Sequence, residues 1–381
     1  MHRAWALISL GALSRNVVAL QSRTSKNNTK MKYLAVLKAD AYGHGLQEIA
    51  LHLQKCNVDY MATALLTEAL QLRNWGIQTP LIAWLVPPGS DFKTAIDRNI
   101  ELAIPSVEIL QEVAAAARTV GKRARVHLEL DTGMIRGGYG AWGDCDISPM
   151  LRDLYLEEKF IKLVGTWSHF ARADEPDELF NTQQLDSFET AIRKMHTAEI
   201  NPGLLHISNS AAIITNQRAT FDMLRMGIAM YGLSPNATNI CLSSNLVLEP
   251  VMELRARVHL VKNVDAGRPV GYGGTVVTNK STQVAVIPLG YADGISRLTD
   301  NSAYIFTPEG KRAYLLGRVS MDQFVVDLGQ NSTTRAGDEV ILFGTGKSGE
   351  ATADVWARAA GTINYEVVTR LGNRVPRIII N

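Results

Sequence analysis

The strongest constraint in this sequence is an alternation that runs through its first half and beyond. Apolar, β-like runs begin near Tyr33, Asp59, Leu81, Glu101, Ala124, Ile161, Leu204 and Met223. Amphipathic stretches with helical periodicity lie between them, at 45–55, 67–75, 106–120, 179–197 and 209–216. Regular strand–helix alternation predicts a parallel sheet, because each crossover returns the chain to the same sheet edge. Eight such units favour a closed (β/α)8, TIM-like barrel over an open doubly wound sheet. In that architecture the C-terminal ends of the strands form the reactive face, so residues just past each apolar run are the ones to inspect.

After residue 240 the texture changes. Short β-like runs at 251–262, 283–288, 312–319, 323–328 and 339–343 are separated by Gly and Asp clusters. One helix is expected at 352–360, and NRVPRIII closes the chain. This reads as a mostly β C-terminal domain. The expected division is a barrel over 12–240 and a β domain over 241–381, with the join in the polar stretch 234–245. A length of 381 residues suits two or three domains of ordinary size.

Charge narrows the partners. Lys plus Arg is 39 and Asp plus Glu is 37, a net +2, which argues against a polyanion such as nucleic acid as partner. No run is long and apolar enough to span a membrane. The three cysteines, Cys56, Cys145 and Cys241, are odd in number and form no CxxC, which argues against a disulfide framework or thiolate metal site and suits a reducing cytoplasm. Residues 4–13 (AWALISLGAL) could pass for the core of a signal peptide, but the run is short and weakly basic at its start. The favoured reading makes residues 1–11 a strand packing on the β domain, followed by a helix with Leu10, Leu13, Val17 and Leu20 on one face.

The most informative segment is AVLKADAYGHG, 35–45. Lys38 ends an apolar strand and so belongs at the barrel mouth. Partial burial there favours the neutral amine, which can condense with an aldehyde. Composition alone favours the blander reading of a lysine snorkelling at a strand end. The segment resembles the pyridoxal-phosphate attachment segment of the alanine racemase family. DTGMIRGG (131–138), GTWSHFA (165–171), HISNSAA (206–212), LRMGIAMYG (224–232), VGYGGT (270–275), IPLGYADG (287–294), GRVSMDQ (317–323), GTINYE (361–366) and NRVPR (373–377) each resemble a family block, in family order.

The resemblance implies a barrel followed by a β domain, pyridoxal 5'-phosphate as cofactor, and a homodimer whose subunits share each site. It makes Lys38 the cofactor anchor and one proton-transfer base. Tyr272, contributed by the other subunit, becomes the second base on the opposite face of the substrate. A phenol gives up its proton reluctantly at neutral pH, so cationic neighbours have to favour the phenolate. Outside this context a tyrosine in GYGG is an ordinary turn residue. Arg225 matches the arginine facing the pyridine nitrogen, and His169 the histidine that positions it. Tyr42, Ser210, Gly227, Ile228 and Tyr365 match phosphate contacts. Ser210 also suits the start of a helix, and Tyr42 a plain turn. Arg136 and Met321 match substrate-carboxylate positions. Asp322 would orient the Met321 loop, while Tyr291 and Tyr365 would narrow the entrance.

One position departs from the pattern. Many members of the family carry a lysine, carbamylated in use, two residues before the DTG aspartate; this chain has Glu129. Glutamate supplies a permanent anion on a shorter arm and would orient Arg136 without carbon dioxide. The resemblance implies interconversion of L- and D-alanine, supplying bacterial peptidoglycan. A racemase of serine or of broader range stays open. Arg225 and Tyr272 speak against a decarboxylase on the same barrel, and the β domain speaks against a cofactor carrier.

Overall fold

The computed structural model describes residues 2–24, 30–140, 147–175, 178–236 and 245–381. Cys145, Cys241 and the proposed domain join at 240/241 lie outside the described residues.

The chain opens with strand β1 (Ala4–Ser9) and the helix Leu10–Thr24. Eight strands then follow: β2 (Lys32–Val36), β3 (Tyr60–Leu65), β4 (Leu81–Leu85), β5 (Ile100–Ile104), β6 (Ala124–Glu129), β7 (Ile161–Trp167), β8 (Leu204–His206) and β9 (Met223–Met226). They form one sheet in the order β8-β7-β6-β5-β4-β3-β2-β9, every ladder parallel. β8 and β9 share no ladder, but two backbone bonds cross the seam: Asp222 N–H to Leu205 O at 3.0 Å and Arg225 N–H to Ser208 O at 3.1 Å. The sheet is thus a nearly closed barrel, as the eightfold alternation predicted.

Each apolar run becomes a strand because it is buried on both faces, inside the barrel and under the helical ring. The helices hold the apolar stripes that the sequence pattern marked; Ile109, Leu110, Val113, Ala114 and Ala117 of Val107–Val120 are buried together. That helix has a serine N-cap, Ser106, and a left-handed glycine, Gly121, at its C-terminal end. Three short helices are absent from the sequence reading: Phe92–Asp97, Ser148–Leu156 and Asn364–Thr369. Phe92–Asp97 announces itself only by its cap, where Asp91 accepts from the Thr94 amide.

The second sheet takes the remaining main strands: β10 (Met252–Arg257), β11 (Leu260–Val264), β14 (Thr282–Ile287), β15 (Tyr304–Phe306), β16 (Arg312–Leu315), β17 (Phe324–Gly329), β18 (Glu339–Phe343) and β19 (Arg377–Ile380). Between them, β12 (Pro269–Val270) and β13 (Val276–Val277) make a separate ribbon. The expected single run at 251–262 divides at Val258–His259. Val258 N–H bonds Asp338 O and His259 N–H bonds Val286 O, so the chain leaves one set of neighbours for another. β1 pairs antiparallel with β10 and parallel with β19, which places both ends of the chain in this sheet. Ala4, Trp5, Ala6 and Ile8 are buried there, and the Arg257 guanidinium lies 5.3 Å from the Trp5 ring. The apolar run near the N-terminus is therefore sheet core.

Candidate active site

Lys38 stands two residues beyond β2 and starts an unusual turn. Ala39, Asp40, Ala41 and Tyr42 all have φ between 52° and 55°, a single left-handed helical turn made without glycine. Such a conformation costs roughly 1–2 kcal/mol per residue, so the surroundings must hold it. Glu68 accepts the Ala39 amide at 2.8 Å, and Asp40 accepts the Leu46 amide at 2.7 Å. His44 Nδ1–H donates to Tyr42 O at 2.8 Å. Burial lowers His44 to about 4, so the ring stays neutral and keeps that pattern. Arg377 Nε–H closes the turn by donating to Gly43 O at 2.8 Å. Gly43 has no substitute: a Cβ there would lie 2.2 Å from Val368 O. Asp40 and His44 brace the turn locally, but Glu68 and Arg377 come from distant elements and are not visible in the local sequence.

The turn delivers Lys38 and Tyr42 to an open cavity of about 460 Å3 at the barrel mouth, which His169, Ser210, Arg225, Gly227, Ile228 and Tyr365 also line. Val36, Trp84 and Asn209 complete the wall and were not among the expected site residues. Lys38 is half-buried. Burial first, then the charges of Arg136 and Arg225, lower its basicity and favour the neutral amine.

Arg225, at 2 % exposure, is the centre of the floor. Its guanidinium donates to Ser168 O at 2.9 Å and to His206 O and Ile207 O at 3.0 Å. It also donates to His169 Nδ1 at 3.0 Å and packs 5.3 Å from the Trp167 ring. Burial lowers Arg225 to about 9, which still leaves it charged at neutral pH. Burial and the neighbouring cations push His169 well down, so it is a neutral acceptor toward Arg225.

Asn209 caps the helix Ser210–Thr215, accepting from the Ala212 amide at 3.1 Å. The Ser210 hydroxyl is therefore free to face the glycine turn, where it accepts the amides of Gly227 and Ala229 at 3.0 and 3.3 Å. Tyr42 stacks near Tyr231 (centroids 4.9 Å) and Tyr365 (6.3 Å). At Gly227 a Cβ would meet Tyr42 Oη at 3.0 Å and Ser210 Oγ at 3.4 Å, so the glycine keeps a cradle open between two hydroxyls.

Arg136 and Glu129 sit at the rim. Arg136 is exposed, in a turn that Asp131 braces by accepting the Gly133 and Ile135 amides at 2.9 and 3.1 Å. Glu129 ends β6 with its Oε1 3.1 Å from where a Cβ on Gly137 would be. Burial raises Glu129 to about 7, against the pull of the Arg136 and Arg225 charges, so it is a titratable group near neutral pH and not the permanent anion expected from the sequence. No direct ion pair joins Glu129 to Arg136 among the described residues; they act on each other through space.

Tyr272, Tyr291, Met321 and Asp322 do not line this cavity within one chain. Tyr272 is 70 % exposed, between two left-handed glycines, Gly271 and Gly273. Tyr291 and Met321 share another exposed patch, where Tyr291 N–H bonds Ser320 O at 3.1 Å and Ala292 N–H bonds Met321 O at 3.0 Å. Asp322 pairs with Arg374 at 2.6 Å.

The comparisons with known proteins agree over both domains. The family model described as alanine racemase, N-terminal domain, matches residues 8–235, and that described as alanine racemase, C-terminal domain, matches 251–379. The chain is 43% identical over 377 residues to the alanine racemase of Thermobifida fusca, covering 98% of this chain and 97% of that one. It is 38% identical over 375 residues to that of Mycobacterium tuberculosis, covering 98% and 95%. Among solved structures, the alanine racemase of Streptomyces coelicolor superposes with a TM-score of 0.94 at 40% identity, covering 100% of this chain and 98% of that one. An alanine racemase from a D-cycloserine-producing Streptomyces lavendulae gives 0.94 at 39% identity with the same coverage. On full-length sequence and fold alike, the chain belongs to the alanine racemase family.

Proposed function

We propose that this chain interconverts L-alanine and D-alanine with pyridoxal 5'-phosphate held at Lys38. The observation that carries the reading is the meeting, in one cavity, of a lysine of lowered basicity with a buried, charged arginine. The residues present fit the cofactor. The cavity accommodates an aromatic ring, the Lys38 amine can hold its aldehyde, and the cradle at Gly227 offers hydroxyls and backbone amides to a phosphate dianion. Gly227→Ala fills that cradle and is expected to weaken cofactor binding about tenfold, about 1.4 kcal/mol. Fluorescence titration of the apoprotein measures it.

Lys38, Tyr42, Ser210 and the turn at Gly227 would hold the cofactor, which would supply an electron sink for the pair of the Cα–H bond. Lys38 Nζ moves the proton on one face of Cα. Tyr272 of the partner subunit serves the other face, which accounts for its exposure in a single chain. Arg225, whose Nη hydrogens are taken by Ser168 O, His169, His206 and Ile207 O, would offer its remaining Nε–H to the ring nitrogen and keep it unprotonated, because a guanidinium holds its own protons. That limits how much charge the ring draws in and favours rapid return of the proton to Cα. His169 fixes the plane of Arg225. Arg136 holds the substrate carboxylate, joined by the Met321 backbone N–H of a second subunit. Tyr291 and Tyr365 restrict the side chain to a small one. The working unit is thus a homodimer. In a bacterial cell its D-alanine would supply peptidoglycan from the cytoplasm; no described helix is long and apolar enough to cross a membrane.

Solvent-deuterium exchange at Cα together with loss of optical rotation tests the reaction. Alanine is expected to give a higher kcat/KM than serine; absence of both exchange and racemisation with either enantiomer would overturn the reading.

Glu129 yields a further prediction. Its carboxyl takes up a proton as pH falls through about 7, so its support of Arg136 is present above that value and lost below it. Glu129→Gln is expected to raise KM for alanine or lower kcat several-fold at pH 8, roughly 1 kcal/mol. It should also erase the corresponding acidic limb of the pH profile. Removing bicarbonate should leave the wild type unchanged.

A further inference from the structure

The barrel interior contains a row of polar side chains that the scheme above does not use. Such interiors are ordinarily filled by branched aliphatic residues. Here Glu101 on β5, His127 on β6 and His206 on β8 are buried, at 2 %, 0 % and 0 % exposure. They join end to end. His127 Nε2 lies 2.7 Å from Glu101 Oε2, and His127 Nδ1 lies 3.1 Å from His206 Nε2. His206 Nδ1 lies 3.3 Å from Arg225 Nη1. The link from β6 to β8 skips β7, and β7 makes room for it: a Cβ on Gly165 would lie 2.5 Å from His127 Nδ1. The ring planes are held too, by Trp167 stacked on His206 at 7° and by Tyr60 edge-on to His127.

The contact of Arg225 with His206 sets the proton arrangement of this row. A guanidinium only donates, so His206 Nδ1 accepts and its proton sits on Nε2. That N–H donates to His127 Nδ1, which leaves the His127 proton on Nε2, donated to Glu101. The end acceptor is a carboxylate. Burial alone would raise Glu101, but the hydrogen bond from His127 and the charge of Arg125 outweigh it and keep the group ionised. Arg125 Nε–H completes the end with a 2.7 Å bond to Glu101 Oε1. Every donor in the row therefore meets an acceptor. No carboxylate contacts Arg225 directly among the described residues; Glu129 supports its charge through space, and the row fixes its orientation.

We infer that Glu101, itself ion-paired with Arg125, is a remote anchor of Arg225, a positioning residue that acts through His127 and His206 to keep the guanidinium aimed at the cavity. A carboxylate in direct contact would hold the guanidinium equally well, but it would place a proton acceptor beside the cofactor ring. Two imidazoles transmit the fixed geometry and keep the anion away. The role assigned to the row rests on the proposed placement of the ring against Arg225, whereas the proton arrangement does not.

Selective 15N labelling of histidine reads the arrangement directly. In the wild type, His169 and His206 are expected to be neutral with the proton on Nε2 at about pH 6 to 8, and His127 to accept at Nδ1 and donate from Nε2. An Nδ1–H tautomer or an imidazolium at His206 would overturn the assignment. Glu101→Gln keeps an oxygen for His127 and removes the charge. It is expected to lower kcat for alanine about tenfold with KM changed less than about twofold, and to shift the His206 ring resonances. Unchanged kcat and unchanged resonances in that variant would sink the inference. If Glu101→Gln does not fold, His127→Asn replaces it: the amide can still accept from His206 but cannot reach Glu101, and the same kcat loss is expected. A wild type with the assigned tautomers that does not racemise alanine would instead count against the proposed function and leave the row intact.

Discussion

Lys38→Ala is expected to abolish racemisation and to remove the visible absorption of the bound cofactor. The variant loses both the covalent anchor and one of two proton-transfer groups. Positioned acid–base groups alone contribute up to about ten-thousand-fold, so a loss of at least that size is the expected result. The fold should survive. Lys38 is half-buried and makes no salt bridge among the described residues, and the left-handed turn after it is braced by Glu68, Asp40, His44 and Arg377 rather than by the lysine. An unchanged melting temperature for the apoprotein, beside the lost absorption, separates a chemical role from a structural one. A variant that still racemises within tenfold of wild type would show that Lys38 is merely a snorkelling strand-end lysine.

Tyr272→Phe should produce a different signature. The change removes one hydroxyl from an exposed side chain, so neither folding nor cofactor absorption should move. Racemisation should fall about a hundredfold to ten-thousand-fold, the range for losing one acid–base group. Exchange of Cα–H in heavy water should persist for the enantiomer whose proton faces Lys38 and vanish for the other. A symmetric loss would place Tyr272 outside proton transfer. Because Tyr272 does not line its own chain's cavity, subunit mixing tests the shared site. Heterodimers of Lys38→Ala with Tyr272→Phe hold one site with both residues intact, so some activity should return. Heterodimers that form and stay inactive would contradict the shared site.

The barrel strands were legible because burial on both faces leaves an apolar run with abrupt ends, and the eight runs at Tyr33 through Met223 became β2–β9 nearly residue for residue. The β domain was less so. The run at 251–262 carries no break signal at Val258–His259, where the chain changes neighbours only because Asp338 and Val286 receive its amides. Phe92–Asp97 and Asn364–Thr369 are too short for periodicity to show. Within the site, Lys38, Tyr42, His169, Ser210 and Arg225 were legible as members of motif blocks. Trp84 was not; Asn209 and His206 lie inside HISNSAA but carry no legible role there, and the row from Glu101 to His206 was not legible either. Glu101 and His206 are single polar residues in apolar runs and His127 lies in an alternating one, ARVHLE, so a linear reading treats each as a satisfied core or strand group.

The sequence by itself determined the element order, the two architectures and the family, since these follow from periodicity and from motif spacing along the chain. Tertiary structure alone decided the conformation of Ala39–Tyr42, which opposes local preference and exists because groups from distant segments bind its backbone. It likewise decided that a glutamate on β5 answers an arginine on β9. Closing the barrel puts the inward faces of distant strands within hydrogen-bond reach of one another, and Gly165 leaves the space in which two histidines complete the link.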